Sequence, residues 1–592
     1  MSPRSRHSRF REGLRQHGER ALQPALALRA AIADGYTLAT LRTDLLAGAV
    51  VGVVALPLSM ALAIAAGVPP QHGLYTAIVA GAVIAALGGS RLQVSGPTAA
   101  FVVILVPIVH RFGLGGLLVA TMLAGAILVG FGVARLGKLI QYIPLPVTAG
   151  FTAGIAVVIA VLQLKDFLGL TPSGEPERFT GRVAALVAAL PGARWEEAAV
   201  GAGTLGLLLL WPRLRTRVPG PLVALALAAV AVEVARRLAP GFDVATIGSR
   251  FQYVVDGVTR AGIPRQPPMP VLPWQLPGAD GAPLGFSFAL IQDLLPAAFA
   301  IAVLGAIESL LSAVVADGMA GTKHDPNAEL LAQGVGNVVA PFFGGFAATG
   351  AIARTATNFR AGGRSPVAAI GHSLVVLAGM LALAPALGAL PMASLAALLL
   401  VVAWNMSDLP HVVRVLRVAP RSDALILVTC FLLTVFFDMT VAVTAGVLLA
   451  AVLFMRRMAE LSGARLVENG QQHALRSPVP PGAVLYEIEG PLFFGAAEKA
   501  MESLHTTSGE ARVVLLELGA VPVIDATGMV NLESALARLA ADKTLVVLVR
   551  VQDQPAKFMA RAGIGPAPGR IAFAASLDEG LDLARAHLAR SA

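Results

Sequence analysis

The sequence predicts a polytopic α-helical membrane protein of fourteen spans, followed by a small soluble α/β domain at the C-terminus. Hydrophobic residues make up 56% and charged residues 14% of its 592 residues, whereas typical soluble domains are about 25% charged. The mean hydropathy is +0.73. Apolar stretches of about 20 residues, the length that crosses a bilayer core, recur from about residue 45 to about residue 458. After Arg456 and Arg457 the pattern changes to short β-rich runs.

Apolar runs bounded by turn signals place the spans in two sets of seven. A stretch rich in proline and glycine, 239–288, separates the two sets. Because each half has an odd number of spans, the second half enters from the opposite face, so the halves form an inverted repeat. The predicted spans are 45–66, 73–89, 94–107, 114–134, 143–164, 195–212 and 219–238, then 289–316, 328–345, 349–360, 367–385, 389–406, 421–438 and 440–458.

The basic residues indicate membrane orientation rather than a nucleic-acid-binding face. The net charge is +9, but the arginines are spread over the N-terminal tail and short loops, which the positive-inside rule places in the cytoplasm. An even number of spans returns the C-terminus to the same side, so we expect a protein of the cell inner membrane with both termini cytoplasmic. The residues are Arg4, Arg6, Arg9, Arg11, Arg15 and Arg20 in the tail, and Arg135, Lys138, Arg213, Arg215, Arg217, Arg360, Arg364, Arg414, Arg417 and Arg421 in loops.

We therefore divide the chain into a basic tail (1–40), a transmembrane domain (41–460) and a cytoplasmic domain (461–592). Alternating β-rich and helical runs predict a small α/β fold for the last of these. Its predicted strands are Val484–Ile488, Val513–Leu518 and Leu545–Val551, and its predicted helices include Ala496–His505 and Thr527–Ala541.

The third span of each set, 94–107 and 349–360, is too short to cross the membrane as one helix. Each follows a pair of glycines and begins with a hydroxyl residue and a glycine, Ser95–Gly96 and Thr349–Gly350. Unwound backbone survives at membrane depth only where it lines a cavity. Interrupted segments at matching positions of two inverted halves therefore predict a binding site near the membrane midplane.

The predicted site favours an anion. A helix N-terminus carries unsatisfied N–H groups and about half a positive charge, and Arg354 adds a full cation with a fork suited to carboxylate. We expect Ser95, Gly96, Thr98 and Thr349 to take part with Arg354. In the alternative interpretation the hydroxyl groups only bond helix backbones and Arg354 snorkels to the cytoplasmic edge.

Glu308 lies far from both ends of an otherwise apolar predicted helix. Because intramembrane carboxylates usually serve function, it is a candidate proton carrier, or a cation ligand together with Ser312. The alternative is a fixed ion pair between Glu308 and Arg354.

Five other residues have structural interpretations. Asp438 is expected to cap or turn the chain between the last two spans, and His372 to be a hydrogen-bonded residue of helix packing. Asp44 and Arg42 are expected in solvent or among lipid headgroups at the membrane edge. Cys430, the single cysteine, is expected to be an inert buried thiol, which excludes disulfides within the chain.

Several stretches resemble one family over nearly the whole chain. They are Asp44–Gly48, Ala55–Ala61, Gly73–Tyr75, Val94–Thr98 and Asn337–Thr355. This pattern is similar to the SulP (solute carrier 26) anion transporters. Within that family the likeness is greatest to bacterial C4-dicarboxylic acid transporters, at 247–249, 321–324, 403–407 and 490–494.

The resemblance implies a UraA-like core and gate, an elevator-like motion and a homodimer. It also implies a substrate site between the first, third, eighth and tenth spans. By position, Thr98 would lie beside the anion, Ala353 and Arg354 would belong to the tenth span, and Glu308 would be the acid of the eighth. Leu58 stands where glutamine is common and Leu62 where an aromatic residue is common, so first-span residues are doubtful ligands.

The C-terminal domain resembles a STAS domain, with Val523–Gly528 as its signature loop. Asp525 and Thr527 are its candidate regulatory residues. Ala526 stands at the position of the usual phosphorylatable serine and cannot accept phosphate. Whether Thr527 takes that role is left open.

The sequence thus predicts proton-coupled, or sodium-coupled, uptake of a C4-dicarboxylate such as succinate, fumarate or aspartate. An inorganic-anion transporter for sulfate, bicarbonate or chloride is the alternative. A membrane-anchored signalling module is a remote third, in which the STAS domain binds a cytosolic protein. No catalytic motif, metal-binding motif, organic cofactor or nucleic-acid partner is expected.

Overall fold

The computed structural model describes residues 24–140, 143–174, 176, 179–214, 216, 218–239, 241–255, 258–437, 439–461, 463–466, 478–493 and 511–591. The chain divides into two compact units, Met1–Val447 and Leu448–Ala592. Some predictions fall outside the described residues: those on the tail arginines, Arg215, Arg217, Asp438, Phe494 and the helix at 496–505.

The first half of the membrane unit consists of long apolar helices and one two-residue strand. Proline in the first turn, where a missing N–H costs nothing, starts several of these helices, such as the one at Pro70. The elements are α1 (Leu26–Ala33), α2 (Leu38–Ala65), α3 (Pro70–Leu87), β1 (Ser95–Gly96), α4 (Ala99–Val133), α5 (Gly137–Ile140), α6 (Leu145–Phe167), α7 (Phe179–Ala189), α8 (Trp195–Leu210) and α9 (Gly220–Leu238).

The second half begins after a loop that carries a short helix and a β-hairpin. Side chains of Ser287, Asp325 and Ser365 accept backbone hydrogen bonds and so start three of its helices. The elements are α10 (Ile247–Arg250), β2 (Gln252–Val255), β3 (Val258–Ala261), α11 (Phe288–Ala320), α12 (Pro326–Val339), β4 (Thr349–Gly350), α13 (Ile352–Arg360), α14 (Pro366–Gly388), α15 (Met392–Ser407), α16 (Leu409–Val418), α17 (Arg421–Phe436) and α18 (Met439–Leu461).

These helices follow the predicted spans along the chain, which confirms a polytopic helical membrane fold. Eight helical stretches of the described chain are long and apolar enough to cross a membrane by themselves. The count of fourteen stays a prediction, because the remaining segments are shorter. The eight are Leu38–Ala65, Pro70–Leu87, Ala99–Val133, Leu145–Phe167, Phe288–Ala320, Pro366–Gly388, Met392–Val418 and Val441–Met458.

The predicted third and fourth spans meet at a break inside α4. Gly113 has φ 70° and ψ −170°, far from helical values, and an L side chain is strained at this positive φ. A Cβ there would also lie 2.7 Å from the backbone nitrogen of Ala279. Glycine therefore lets the chain turn out of one helix and into the next under the Pro273–Leu284 loop.

The membrane helices pack as two groups, which matches the expected core and gate. In the core, α4 packs on α11 and α12, and α14 packs on α2 and α3. In the gate, α6 packs on α15 and α17, and α8 packs on α9 and α15. The two broken segments both belong to the core.

The C-terminal unit contains a five-stranded sheet in the order β5-β6-β7-β8-β9, in which only the β5/β6 pair is antiparallel. Helices cover both faces, as a parallel sheet requires. One face packs on Leu532 and Met559, the other on Leu581. The bounds are β5 (Gly463–Leu466), β6 (Ala483–Glu489), β7 (Val513–Ala520), α19 (Ala526–Ala541), β8 (Leu545–Val549), α20 (Asp553–Arg561), β9 (Ile571–Ala574) and α21 (Leu577–Ser591).

Replacement of Gly125 by alanine tests the packing of the core. A Cβ at Gly125 in α4 would lie 2.7 Å from the carbonyl oxygen of Gly334 in α12, so the two backbones pack with no room for a side chain. Gly125→Ala is expected to destabilise the protein by about 1–3 kcal/mol, measured by thermal unfolding of the purified protein in detergent. Gly130, in the same helix with nothing near its Cβ position, is the matched control, and equal effects of both substitutions would contradict the packing.

Candidate functional site

The two broken segments meet in the middle of the core. β1 pairs antiparallel with β4, with Ser95 opposite Gly350 and Gly96 opposite Thr349. Directly after the strands, α4 begins at Ala99 and α13 at Ile352. The structure therefore confirms that the two unwound segments lie together and that two helix N-termini start beside them.

Arg354 lies in the first turn of α13, and its side chain is directed into this crossing. The residue is only 3% exposed, so the alternative that it snorkels to the membrane edge is wrong. Its guanidinium group donates to the carbonyl oxygen of Pro97, while Nε and Nη1 have no hydrogen-bond partner. A Cβ at Gly96 would overlap Nη1, so only glycine leaves the guanidinium group its place.

A cavity of about 560 Å³ opens between the core and the gate beside this arginine. Thr98, Glu308, Ala353 and Arg354 line it, as predicted. Leu58 and Leu62 line it too, and they add apolar surface. Ser95, Gly96, Thr349 and Ser312 are not among the residues that line it.

Glu308 faces the cavity from α11 and accepts a hydrogen bond from Thr98 Oγ1 at 2.9 Å. No ion pair joins it to Arg354 in the part of the chain that the structure describes, so the fixed-pair alternative is wrong for this state. Ser312 does not join it either, because its hydroxyl group pairs with Thr355 Oγ1 at 3.2 Å. Glu308 is thus held by a single neutral hydroxyl group.

Two predicted ligands serve the framework behind the cavity instead. Thr349, fully buried, donates to the carbonyl oxygen of Gly305 at 2.9 Å, as the helix-bonding alternative proposed. Ser95 accepts from the side-chain amide of Gln333 at 2.9 Å. Both hydroxyl groups therefore hold β1 and β4 in place and do not face the cavity.

A buried carboxylate, Glu329 in α12, organises this framework and was missed from the sequence. One of its oxygens accepts from the backbone N–H groups of Gly89 and Ser90, at 3.0 and 3.1 Å. The other accepts from the amides of Gln93 and Gln333, at 2.9 and 3.3 Å. The segment that leads into β1 is thus tied to α12 by one side chain.

The same face of α12 carries a second link. Asn337 exchanges hydrogen bonds with the backbone of Ala348, just before β4, at 2.8 and 2.9 Å. Glu329, Gln333 and Asn337 are spaced four residues apart, which puts them on one face of a helix. This polar stripe was the sequence signal that could have revealed the framework.

Two structural interpretations need correction. Asp44 is fully buried, not solvated, and it accepts from Tyr36 Oη at 2.8 Å and from the backbone N–H of Arg364 at 2.7 Å. His372 is buried in helix packing as expected, but neither ring nitrogen has a well-formed hydrogen bond. Cys430 is buried and free, as predicted.

The gate side of the cavity supplies polar groups that the sequence analysis did not single out. Thr148, Thr152, Asn405 and His411 line the cavity opposite Arg354. Thr148 and Thr152 lie on α6, Asn405 on α15 and His411 on α16, and only the packing of these helices around the cavity reveals them.

The STAS-like loop forms a helix start. Asp525 accepts from the backbone N–H of Gly528 at 2.7 Å and caps α19. Thr527 is exposed in the first turn of that helix. The geometry gives Asp525 a capping role and leaves Thr527 accessible.

Models of two known families match the chain. That of the sulfate permease family covers residues 41–430, and that of the STAS domain covers residues 474–579. The chain belongs to the sulfate permease family. It is an anion transporter of this family with a C-terminal STAS domain, and members of the family are transporters rather than enzymes.

Individual relatives agree with this assignment. The chain is 41% identical to the putative sulfate transporter YvdB of Bacillus subtilis, over 90% of this chain and 95% of the relative. It is 29% identical to the bicarbonate transporter BicA of Picosynechococcus, over 86% and 88%. The structure of SLC26A9 has the same fold, with a TM-score of 0.82 at 19% identity over 98% of this chain and 95% of that one.

These relatives alter the substrate expected from the sequence. The two sequence relatives are described as sulfate and bicarbonate transporters, which favours the inorganic-anion alternative over C4-dicarboxylate uptake.

Glu329→Ala tests whether the buried framework carries stability. The substitution leaves the backbone N–H groups of Gly89 and Ser90 buried without an acceptor, so a loss of about 3 kcal/mol is expected in thermal unfolding of the detergent-solubilised protein. Glu329→Gln, which keeps one acceptor oxygen, should lose less. Glu233→Ala, which removes an exposed ion pair with Arg237, should cost under about 1 kcal/mol. A loss no larger than this control would show that the framework is dispensable.

Proposed function

We propose that the protein carries a small inorganic oxyanion across the cell inner membrane, with sulfate as the first candidate and bicarbonate as the second. The observation that carries the proposal is the buried guanidinium group of Arg354, which has two nitrogens without a partner beside two helix N-termini. Such a group is costly to bury, and a bound anion supplies the missing acceptors. Thr98, and the backbone around Gly350 and Ala353, would complete the site.

The lining of the cavity favours one compact anion over a C4-dicarboxylate. Among the described lining residues, Arg354 is the single arginine or lysine. Leu58, Leu62, Phe151 and Leu311 make most of the remaining wall near it apolar. A dicarboxylate has two charged ends several ångströms apart, and the second end would meet a wall that is mostly apolar and has no arginine or lysine, at a desolvation cost.

Glu308 is proposed to couple transport to protons, with sodium as the alternative ion. Its carboxylate faces the cavity from the core and has one neutral hydrogen-bond partner, Thr98. Protonation would remove its negative charge from the neighbourhood of the anion and so favour binding. In this proposal Ser312 does not bind the coupling ion, and its hydrogen bond with Thr355 helps to position α11.

We propose an elevator-like movement in which the core, carrying the crossing, slides against the gate in a homodimer with both termini in the cytoplasm. The separate packing of the two groups and the cavity between them support this. The STAS domain is proposed to bind a cytosolic protein, with the exposed Thr527 as a candidate regulatory residue.

A transport assay tests the substrate. Purified protein in proteoliposomes is expected to take up labelled sulfate or bicarbonate saturably, with succinate a poor competitor. Arg354→Lys removes the fork and its unpaired donors, so KM should rise about 10- to 100-fold, the value of one charged hydrogen bond or more. Arg213→Lys, in a short 3-10 helix outside the cavity, should leave KM unchanged. Succinate uptake without uptake of either inorganic anion would overturn the proposal.

The pH profile tests Glu308. Wild-type uptake is expected to rise as the external pH falls, because protonation of Glu308 removes a charge that repels the anion. Glu308→Gln should flatten this profile. Glu197→Gln is the matched control, since Glu197 is a buried carboxylate outside the cavity that accepts from the backbone of Ala245. An unchanged profile in Glu308→Gln would show that protons are carried elsewhere or that sodium is the coupling ion.

A further inference from the structure

The short helix α16 differs from every neighbour in the membrane unit that contacts it. It spans Leu409–Val418 and contains no buried residue. Asp408, just before it, has φ 39° and ψ 46°, a left-handed conformation that ends α15 and redirects the chain. Pro410 follows in the first turn, where the helix tolerates it.

The helix is amphipathic and basic. At 100° per residue, Arg414 and Arg417 lie on one side, and Leu409, Val412 and Leu416 lie on the other. Both arginines are exposed, and neither forms an ion pair with a residue that the structure describes. Leu409 and Leu416 are exposed as well, at 45% and 43%.

The position of α16 along the chain places it at a membrane surface. It connects α15 and α17, two apolar helices of the gate, and it packs against α6 and α17. Arg421 opens the next helix. A short amphipathic helix between two spans, with leucines and arginines exposed together, is typical of helices that lie in the bilayer interface.

One side of α16 also borders the transport cavity. Asp408, His411 and Val412 line the cavity, whereas Arg414 and Arg417 of the same helix face outward. A molecule that binds the two arginines would therefore also fix the position of the helix that forms one wall of the cavity opening.

We propose that α16 is a binding site for anionic phospholipid headgroups. In this site Arg414 and Arg417 bind the phosphate groups, Leu409 and Leu416 lie in the acyl region, and the bound lipid sets the shape of the cavity opening. Charge complementarity supports this occupant, because two unpaired arginines at a membrane interface meet phosphate groups there. The effect on transport rests on the proposed function, whereas lipid binding itself does not.

Lipid binding is tested first, without transport. Short-chain phosphatidylglycerol is titrated into the full-length protein in neutral detergent, and the shift in the unfolding midpoint is measured. The double variant Arg414→Gln/Arg417→Gln should need roughly 10- to 30-fold more lipid for the same shift, since each arginine near an anionic surface contributes a factor of about five in affinity. Arg561→Gln/Arg570→Gln, which removes two exposed arginines of the C-terminal domain, should behave as wild type. Inorganic phosphate should give no shift.

Transport is tested second, in vesicles of phosphatidylcholine with and without one third phosphatidylglycerol. Labelled sulfate and bicarbonate uptake should be several-fold faster in the anionic vesicles for wild type and the control variant, and independent of lipid charge for the α16 variant.

An equal lipid shift in all variants would overturn the proposal. A changed oligomeric state of the α16 variant without a lipid effect would show that a second copy covers the helix. If no anion is transported but the lipid shift differs as expected, the proposed function fails and the lipid site stands.

Discussion

The buried charge of Arg354 is the constraint on which the rest of the core depends. A guanidinium group removed from water costs several kcal/mol unless it is paired, and here one carbonyl oxygen is its hydrogen-bond acceptor. The N-termini of α4 and α13 lie beside it and add positive potential rather than relief. The protein's own groups therefore leave the charge of Arg354 only partly compensated, and a negative group that enters from the cavity would complete the arrangement.

Such a site works only if its backbone stays in place while no ligand is bound. Two-residue strands have little stability of their own, since an isolated pair of strands is marginal even at hairpin length. The pairing of β1 with β4 is held by side chains from elsewhere: Glu329 before β1, Asn337 before β4, and Thr355, which accepts from the backbone N–H of Val94 at 3.1 Å. In the proposed site, these fixed backbone dipoles would allow an anion to bind beside Arg354 without reorganisation of the protein.

Local features of the sequence were enough to predict the polytopic helical fold and the two broken segments. The glycine pairs and the steps Ser95–Gly96 and Thr349–Gly350 determine the local backbone, so a single chain pattern reveals them. The framework was missed because its partners are far apart in sequence: Glu329 bonds Gly89 across 240 residues. Asp44 was assigned to solvent for the same reason, since Arg364 lies 320 residues away. The dicarboxylate prediction rested on family resemblance and on a guanidinium fork that fits carboxylate, but the same fork also fits the oxygens of sulfate and bicarbonate.

The division of the cavity between two packing groups also bears on how such a protein changes over time. The charge proposed to attract an anion belongs to the core, where Gly96 leaves room for the guanidinium group of Arg354. Glu329 fixes the segment before β1 in the same core, so these positions tolerate little exchange. The opposite wall, with Thr152, Asn405 and His411, belongs to the gate and is free of those constraints. New selectivity can therefore arise by substitutions on the gate that reshape the space available to the anion, while the inherited charge remains untouched.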